Sequence, residues 1–170
     1  MITEEEKVKK TVVDKPVLLR AYQPWMLMQM IHLFFETVHH TCIKHYNRDQ
    51  LLRWAPVHAN IAAWKQRLGN NQCFVAFEGN TIVGFAELAD HCHIDTVYVH
   101  KNHHQRGIAT LLLKKLLGIS IANGYRYATT EASITAKPFF LKNGFEVTRQ
   151  KTNLHNGKPF INYEMTKELI

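Results

Sequence analysis

Residues 104–109 (HQRGIA) have the composition of an anion-binding loop. They follow an apolar run, HIDTVYVH, and lead into a leucine-rich stretch typical of a helix. The first N–H groups of a helix have no intrahelical acceptor, so a phosphate can bind there. Gly107 would let the backbone approach that phosphate, Ala109 keeps the first turn narrow, and Arg106 adds a guanidinium. A glycine at an ordinary strand-to-helix turn explains the same letters equally well.

Three titratable side chains precede this loop and are candidates for acid–base chemistry: Asp95, His93 and Glu87. Strand alternation predicts that His93 and Asp95 lie on one face together with Val97 and Val99. Imidazole titrates near neutral pH, and a carboxylate can act as a base through a water molecule. Structural roles also suit these residues, because Asp95 could fix a bulge or an arginine and His93 could be a surface residue.

Two histidine–cysteine clusters, at 39–42 (HHTC) and 91–93 (HCH), have the residue types of metal ligands. They lack the regular CxxC spacing of zinc sites, and neighbouring residues of a strand point to opposite faces. We therefore expect no metal site.

Composition limits the class of protein. The chain has 170 residues, of which 46% are hydrophobic, and this size and composition suit one globular domain. Three cysteines without paired spacing favour a reduced compartment, and no stretch is long and apolar enough for a signal peptide or a bilayer span. We expect a soluble, cytoplasmic protein. Its net charge of +7 suits a phosphate-bearing ligand, whereas scattered Lys and Arg and no recognisable motif argue against nucleic acid.

Periodicity predicts helices and strands that could position the loop. We expect a flexible segment over 1–15 and one domain over 16–170. The predicted strands cover residues 17–22, 73–77, 82–88, 93–100, 126–132, 145–151 and 160–166, the last two joined around Asn156 and Gly157. The predicted helices cover residues 25–41, about 48–55 after a cap at Asn47 or Asp49, 60–68 closed by Gly69, 107–122 and 135–142. This order predicts an α/β or α+β sheet with helices on both faces.

Two separated motifs resemble the GNAT superfamily of acetyl-CoA-dependent N-acetyltransferases. The loop is similar to its signature Gln/Arg-x-x-Gly-x-Gly/Ala, with His104 where Gln or Arg is usual. Residues 136–145 (AKPFFLKNGF) resemble the family's Ala-x-x-Phe-Tyr-x-x-x-Gly-Phe helix, and 82–88 (IVGFAEL) resembles its third strand. Further segments resemble a bacterial subgroup called YafP-like.

The resemblance implies a mixed, mostly antiparallel sheet of six to seven strands, splayed between strands four and five. It also implies acetyl-CoA as cofactor, with the pantetheine arm pairing in the splay like an added strand. The implied cofactor-binding residues are Val97, Tyr98, Val99, His104, Gln105, Arg106, Gly107, Ile108, Ala109, Thr110, Ser133 and Phe139. The main-chain N–H of Val99 would stabilise the developing oxyanion.

The resemblance also places a base two to four positions before the pantetheine segment. We rank Asp95 first, ahead of His93 and Glu87. The family's usual acid is the Tyr of the Phe-Tyr pair, but this chain has Phe140 there, so Tyr98, Tyr163, water or an unassisted thiolate must serve.

The acceptor is expected to be a small-molecule or peptide amine. His39, Tyr46 and Trp54 fall where relatives form one wall of the acceptor pocket, although core packing explains each of them as well. A homodimer is possible for a protein of this family. The competing hypotheses are a catalytically weak acyl-CoA-binding sensor and a basic nucleic-acid-binding module.

Overall fold

Seven strands form one open, mixed sheet in the computed structural model, which describes residues 15–155 and 157–170. The strands are β1 (Val17–Ala21), β2 (Gln72–Glu78), β3 (Thr81–Ala89), β4 (His93–Val99), β5 (Tyr127–Ser133), β6 (Glu146–His155) and β7 (Lys158–Glu168). Their order is β1-β2-β3-β4-β5-β7-β6, and the β4–β5 pair is parallel while the other neighbours are antiparallel. The predicted sheet is therefore confirmed.

The described residues contain five α-helices, which lie on both faces of this sheet. They are α1 (Leu27–Thr41), α2 (Arg48–Trp54), α3 (Ile61–Asn70), α4 (Ile108–Ala122) and α5 (Lys137–Lys142). One apolar core joins α4 and α5 to one face of the sheet, and a second joins α1 and α3 to the opposite face. None of these helices is both long and apolar enough to cross a membrane.

The ends of several elements differ from the predicted ones for local reasons. Pro24–Met26 form a 3-10 turn, so α1 begins at Leu27. Asn47 is the cap of α2, because its side chain and that of Gln50 each bind the other residue's backbone N–H. Gly69 lies within α3 and does not close it. The predicted segment 1–15 lies outside the described residues except for its last residue, and so does Asn156 of the predicted turn.

The β6–β7 hairpin is longer than predicted. Most of β6 is exposed, so its sequence lacks the apolar alternation by which a half-buried strand is recognised. The extra length carries the end of the hairpin across to α2. Gln50 donates to the carbonyl of Pro159 (2.9 Å), and the ammonium of Lys158 lies 2.6 Å from the carboxylate of Asp49.

Gly84 of β3 brings α4 close to the sheet. A Cβ atom at this position would lie 2.9 Å from the carbonyl oxygen of Tyr98 and 3.2 Å from Cδ1 of Leu112. Only glycine accommodates that approach without displacing the backbone. The N-terminus of α4 is thereby held beside the end of β4.

Candidate active site

Strands β4 and β5 pair only briefly and then separate. Their register contains two pairs, His93 with Thr129 and Ile94 with Thr130. Beyond Ile94, residues of both strands line a cavity of about 1400 Å³. The splay expected from the family resemblance is therefore present.

A β-bulge at Asp95 changes which residues of β4 share a face. Glu87 pairs with Thr96, and the next residue, Leu88, pairs with Ile94, so Asp95 is the additional residue. Ile94, Val97 and Val99 accordingly lie in the core beneath α4. The prediction that His93 and Asp95 share that face is wrong, because the extra residue reverses the alternation N-terminal to it.

The backbone of Val97 and Val99 faces the gap between β4 and β5. The N–H of His100 donates to Val83 of β3 (2.9 Å), so the residues at alternate positions, Val99 and Val97, direct their polar groups away from β3. The backbone of Tyr98 instead pairs with Phe85. Tyr98 therefore cannot offer a main-chain bond to a ligand in the gap, which corrects its assignment within the pantetheine-pairing segment.

One of the gap-facing groups already has partners. The carbonyl oxygen of Val99 accepts from the hydroxyl of Thr37 (3.1 Å) and from Nε2 of His104 (2.9 Å). The groups left for a ligand strand are the N–H of Val99 and both polar groups of Val97.

The loop before α4 has the backbone shape of an anion site. Gln105 and Gly107 both have positive φ angles, 59° and 78°. The first helical bond of α4 runs from the N–H of Leu111 to the carbonyl of Gly107 (2.9 Å), and no side chain caps this end. The N–H groups of residues 108–110 thus have no acceptor within the helix. The loop residues that line the cavity are His103, His104, Gln105, Gly107, Ile108, Ala109 and Thr110.

Two loop side chains are directed away from the predicted phosphate position. The guanidinium of Arg106 pairs with Glu78 of β2 and is not part of the cavity lining. Its hydrogen bond lowers the pKa of Glu78 against the opposing effect of burial. The ring of His104 donates to Val99, so it ties the loop to the end of β4. Neither side chain is therefore directed at an anion at the start of α4, where the main-chain N–H groups of residues 108–110 remain.

The three candidate bases have different surroundings. Asp95 is exposed, lines the cavity and accepts a hydrogen bond from Asn71 (3.3 Å). His93 lies outside the cavity lining, with its ring 2.9 Å from the hydroxyl of Thr129. Glu87 is fully buried, and its carboxylate accepts four hydrogen bonds. Their donors are Nε and Nη2 of Arg67, Asn71 and Thr96. Of the three, only Asp95 reaches the cavity.

Two phenols also reach the cavity, those of Tyr98 and Tyr46. Burial raises the pKa of both, so each stays protonated at neutral pH. Tyr46 accepts the N–H of Ile134 (3.0 Å) beside the end of β5. Tyr163 is not among the lining residues, whereas Phe140 of α5 borders the cavity but is only 4% exposed and belongs to the apolar core.

The predicted acceptor residues do not all lie together. Tyr46 and Trp54 line the cavity and contact each other and Phe160 edge-on or tilted, with ring centroids 5.3–6.3 Å apart. His39 lies outside the lining, where its Nε2 donates to the carbonyl of Ala55 (2.8 Å). Ser133 and Phe139, predicted as cofactor contacts, both line the cavity.

Sequence reasoning missed two residues at this site. Arg67 of α3 lines the cavity and holds Glu87, and Thr37 of α1 binds the end of β4. Thr37 was detectable as a polar residue inside an apolar helical stripe. Arg67 follows Trp64 by three residues, which is the helical spacing of an arginine stacked on an aromatic ring. Among the described residues, no group of three or more His, Cys, Asp or Glu side chains could hold a metal ion.

Comparisons with known proteins agree with this geometry. The chain matches the Acetyltransferase (GNAT) domain family over residues 42–167. It is 34% identical over 149 residues to the uncharacterized N-acetyltransferase YafP of Escherichia coli K12, which covers 88% of this chain and 94% of that protein.

Two solved structures share the fold. A GCN5-related N-acetyltransferase from Rhodopseudomonas palustris, named Aminotransferase, Class-II, has a TM-score of 0.88 at 30% identity, covering 92% of this chain and 98% of that one. The PaiA N-acetyltransferase of Thermoplasma acidophilum, crystallised with coenzyme A, has a TM-score of 0.73 at 19% identity, covering 90% and 99%. The open sheet, split between β4 and β5 beside a glycine-containing loop, together with these matches identifies the chain as an acetyltransferase. The chain belongs to the GNAT acetyltransferase family.

Proposed function

We propose that this protein transfers an acetyl group from acetyl-CoA to a primary amine by direct attack of the amine on the thioester. The observation that carries the proposal is the gap between β4 and β5, into which Val97 and Val99 direct main-chain groups without a strand partner. A pantetheine arm carries amides that can pair with such an edge. The related PaiA structure contains coenzyme A.

The residues present fit acetyl-CoA at both ends of the gap. Uncapped N–H groups of residues 108–110, with the positive end of the α4 dipole, suit the pyrophosphate. Acetyl-CoA supplies the thioester carbonyl. The N–H of Val99 is the donor that we assign to the developing negative charge on that oxygen.

Proton transfers need a base for the attacking amine and an acid for the departing thiolate. We assign the base to Asp95, directly or through water, because it reaches the cavity while Glu87 is saturated with donors and His93 lies outside. For the thiolate we assign a cavity phenol, Tyr98 or Tyr46, or solvent as the source of the proton. The single acetyltransferase domain is assigned to residues 16–170.

The test is release of free thiol from acetyl-CoA by the purified protein, measured with and without a panel of primary amines. Amine-dependent release together with a rise in Tm on adding acetyl-CoA is the expected result. No rise in Tm and no thiol release with any amine would reject the proposal.

A second candidate function is that of an acyl-CoA-binding sensor with little catalysis. It is favoured by Phe140, which replaces the family's usual acid and is buried in an apolar core. The two functions separate cleanly, because a sensor binds acetyl-CoA without any amine-dependent thiol release.

A further inference from the structure

A second cavity of about 320 Å³ opens beside the main one. The two cavities share four lining side chains: Phe34, Trp54, Arg67 and His155. Phe35 and Trp64 add further rings, and no Asp or Glu is among the described residues that line the second cavity. Its size and rings suit one bulky apolar group that enters from the main cavity, while Arg53 and Asn60 supply polar edges.

Arg67 stands at the junction of these cavities with its guanidinium held rigidly. Nε and Nη2 donate to the carboxylate of buried Glu87 (3.0 Å each), and the plane stacks on Trp64 at 4.2 Å. The third nitrogen, Nη1, has no acceptor within residues 15–155 and 157–170. Because the side chain is already fixed, binding a ligand oxygen at Nη1 costs little conformational entropy.

Asp95 belongs to the same hydrogen-bond network. The side-chain amide of Asn71 donates to Glu87 (3.1 Å) and to Asp95 (3.3 Å), so one amide links the carboxylate that holds Arg67 to the proposed base. Asp95 and Arg67 also both line the main cavity, so a carboxylate and a guanidinium nitrogen without an acceptor among the described residues border the same space. This pair is complementary to an amine and a carboxylate on one carbon atom.

We propose that the acceptor is an α-amino acid with a bulky apolar side chain. Its amine faces Asp95, its carboxylate binds Nη1 of Arg67, and its side chain occupies the second cavity. The assignment rests on the proposed acetyl transfer. Although Glu87 offsets the charge of Arg67, the ligand carboxylate is recognised through a charge-assisted hydrogen bond from a fixed N–H donor, which a neutral amide accepts less strongly.

The reaction balances with this acceptor. The neutral amine nitrogen forms a bond to the acetyl carbonyl carbon, and the carbon–sulfur bond breaks with its electron pair on sulfur. One amine proton passes to Asp95, and the thiolate takes a proton from a cavity phenol or solvent. The products are an N-acetyl amino acid and a free thiol.

The decisive experiment compares kcat/KM for matched amines in the thiol-release assay with acetyl-CoA. Phenylalanine, tryptophan and leucine represent the proposed class. Phenethylamine lacks the carboxylate, phenylalaninamide replaces it with a neutral amide, and alanine lacks the bulky group. We expect phenylalanine to exceed each of these three by roughly ten- to a hundredfold, as befits a hydrogen bond to a charged group or one buried side chain.

Arg67→Lys sharpens the test, because lysine can still pair with Glu87 but has no planar second donor. We expect the preference for phenylalanine over phenethylamine to fall to within about threefold, while the KM for acetyl-CoA is unchanged. Arg20→Lys is the matched control, since Arg20 also stacks on a ring, that of Phe77 at 5.0 Å, but lies on β1. It should keep the wild-type preference.

Equal or better use of phenethylamine or phenylalaninamide by the unaltered protein would overturn this inference and leave acetyl transfer intact. The same holds if acetyl-CoA binds but no amino acid of the panel is acetylated. Should Arg67→Lys not fold, the panel with unaltered protein still decides.

Discussion

The two sides of the cavity are built from different parts of the polypeptide. On the cofactor side the groups that face the gap are main-chain atoms of Val97, Val99 and the loop that starts α4. On the acceptor side they are side chains from three helices, from β4 and β5 and from the β6–β7 hairpin, as at Trp54, Asp95 and Glu131. A main-chain site tolerates side-chain change if the fold persists, whereas a side-chain site changes with each substitution. The cofactor should accordingly be common to relatives and the acceptor particular to this chain.

The largest expected effect is on the acceptor side, at Asp95. Asp95→Asn removes the proposed base, and we expect turnover to fall by roughly 10²- to 10⁴-fold. The rise in Tm with acetyl-CoA should stay as in the wild type, because no main-chain group of the gap changes. Wild-type turnover across the pH range would remove Asp95 from the mechanism.

Glu87→Gln tests whether the acceptor side depends on a buried ion pair. The fully buried carboxylate of Glu87 would no longer neutralise the guanidinium of Arg67. We therefore expect the free energy of unfolding to fall by about 3 kcal/mol. Urea unfolding at neutral pH measures this. A loss within error would mean that Arg67 does not depend on Glu87, and that its guanidinium is not fixed.

Gly107→Asp tests the cofactor side directly. A carboxylate beside the pyrophosphate position should weaken acetyl-CoA binding by roughly ten- to a hundredfold. Gly107→Asn is the matched control, because asparagine has the same size without charge and tolerates the positive φ of 78°. Isothermal titration with acetyl-CoA compares the two, and equal affinities for the Asp and Asn variants would contradict a phosphate at this loop.

The smallest effect concerns acid sensitivity of the acceptor side. Burial acts to raise the pKa of Glu131, but hydrogen bonds from Lys151 and Asn162 outweigh it and lower the pKa below its ordinary value. A lowered folded-state pKa means that Glu131 stabilises the fold above its unfolded pKa, and that this contribution is lost as pH falls through the folded pKa.

Glu131→Gln should therefore be less stable than wild type at pH 7, and the difference should shrink as the pH falls below about 4. Urea unfolding at several pH values reports the difference. A constant difference at every pH would show that ionisation of Glu131 contributes nothing.

The sequence predicts the cofactor side of the cavity better than the acceptor side. The anion-binding loop could be located because Gly107 stands in a spacing that resembles the family signature. Apolar periodicity predicted most strands, whereas the mixed, splayed sheet was implied by the resemblance. The bulge at Asp95 was predicted only as one alternative role for that carboxylate, although the three-residue step from Ile94 to Val97 interrupts the alternation of core-facing residues. Two contacts at the cavities join residues that are distant in sequence. Arg67 and Glu87 are 20 positions apart, and the His155 ring lies 3.1 Å from the carbonyl of Arg53, 102 positions away. Only the folded chain brings them together.

His104 illustrates a different limit. Its place in the signature predicted a side chain on phosphate, but its ring binds Val99. A signature predicts where a residue lies in the fold. It does not predict whether the side chain binds a phosphate or a nearby main-chain carbonyl.

The short pairing of β4 with β5 affects how readily the protein aggregates or is degraded. Because β4 and β5 pair at only two positions, polar backbone groups of Val97 and Val99 remain open to any extended peptide, including one from another copy of the chain. A small molecule that binds in the gap between β4 and β5 competes with the pairing of such a peptide. Its binding free energy also adds to the free energy of folding. Supply of that molecule would then govern how long each copy escapes aggregation and proteolysis, apart from any reaction that it undergoes.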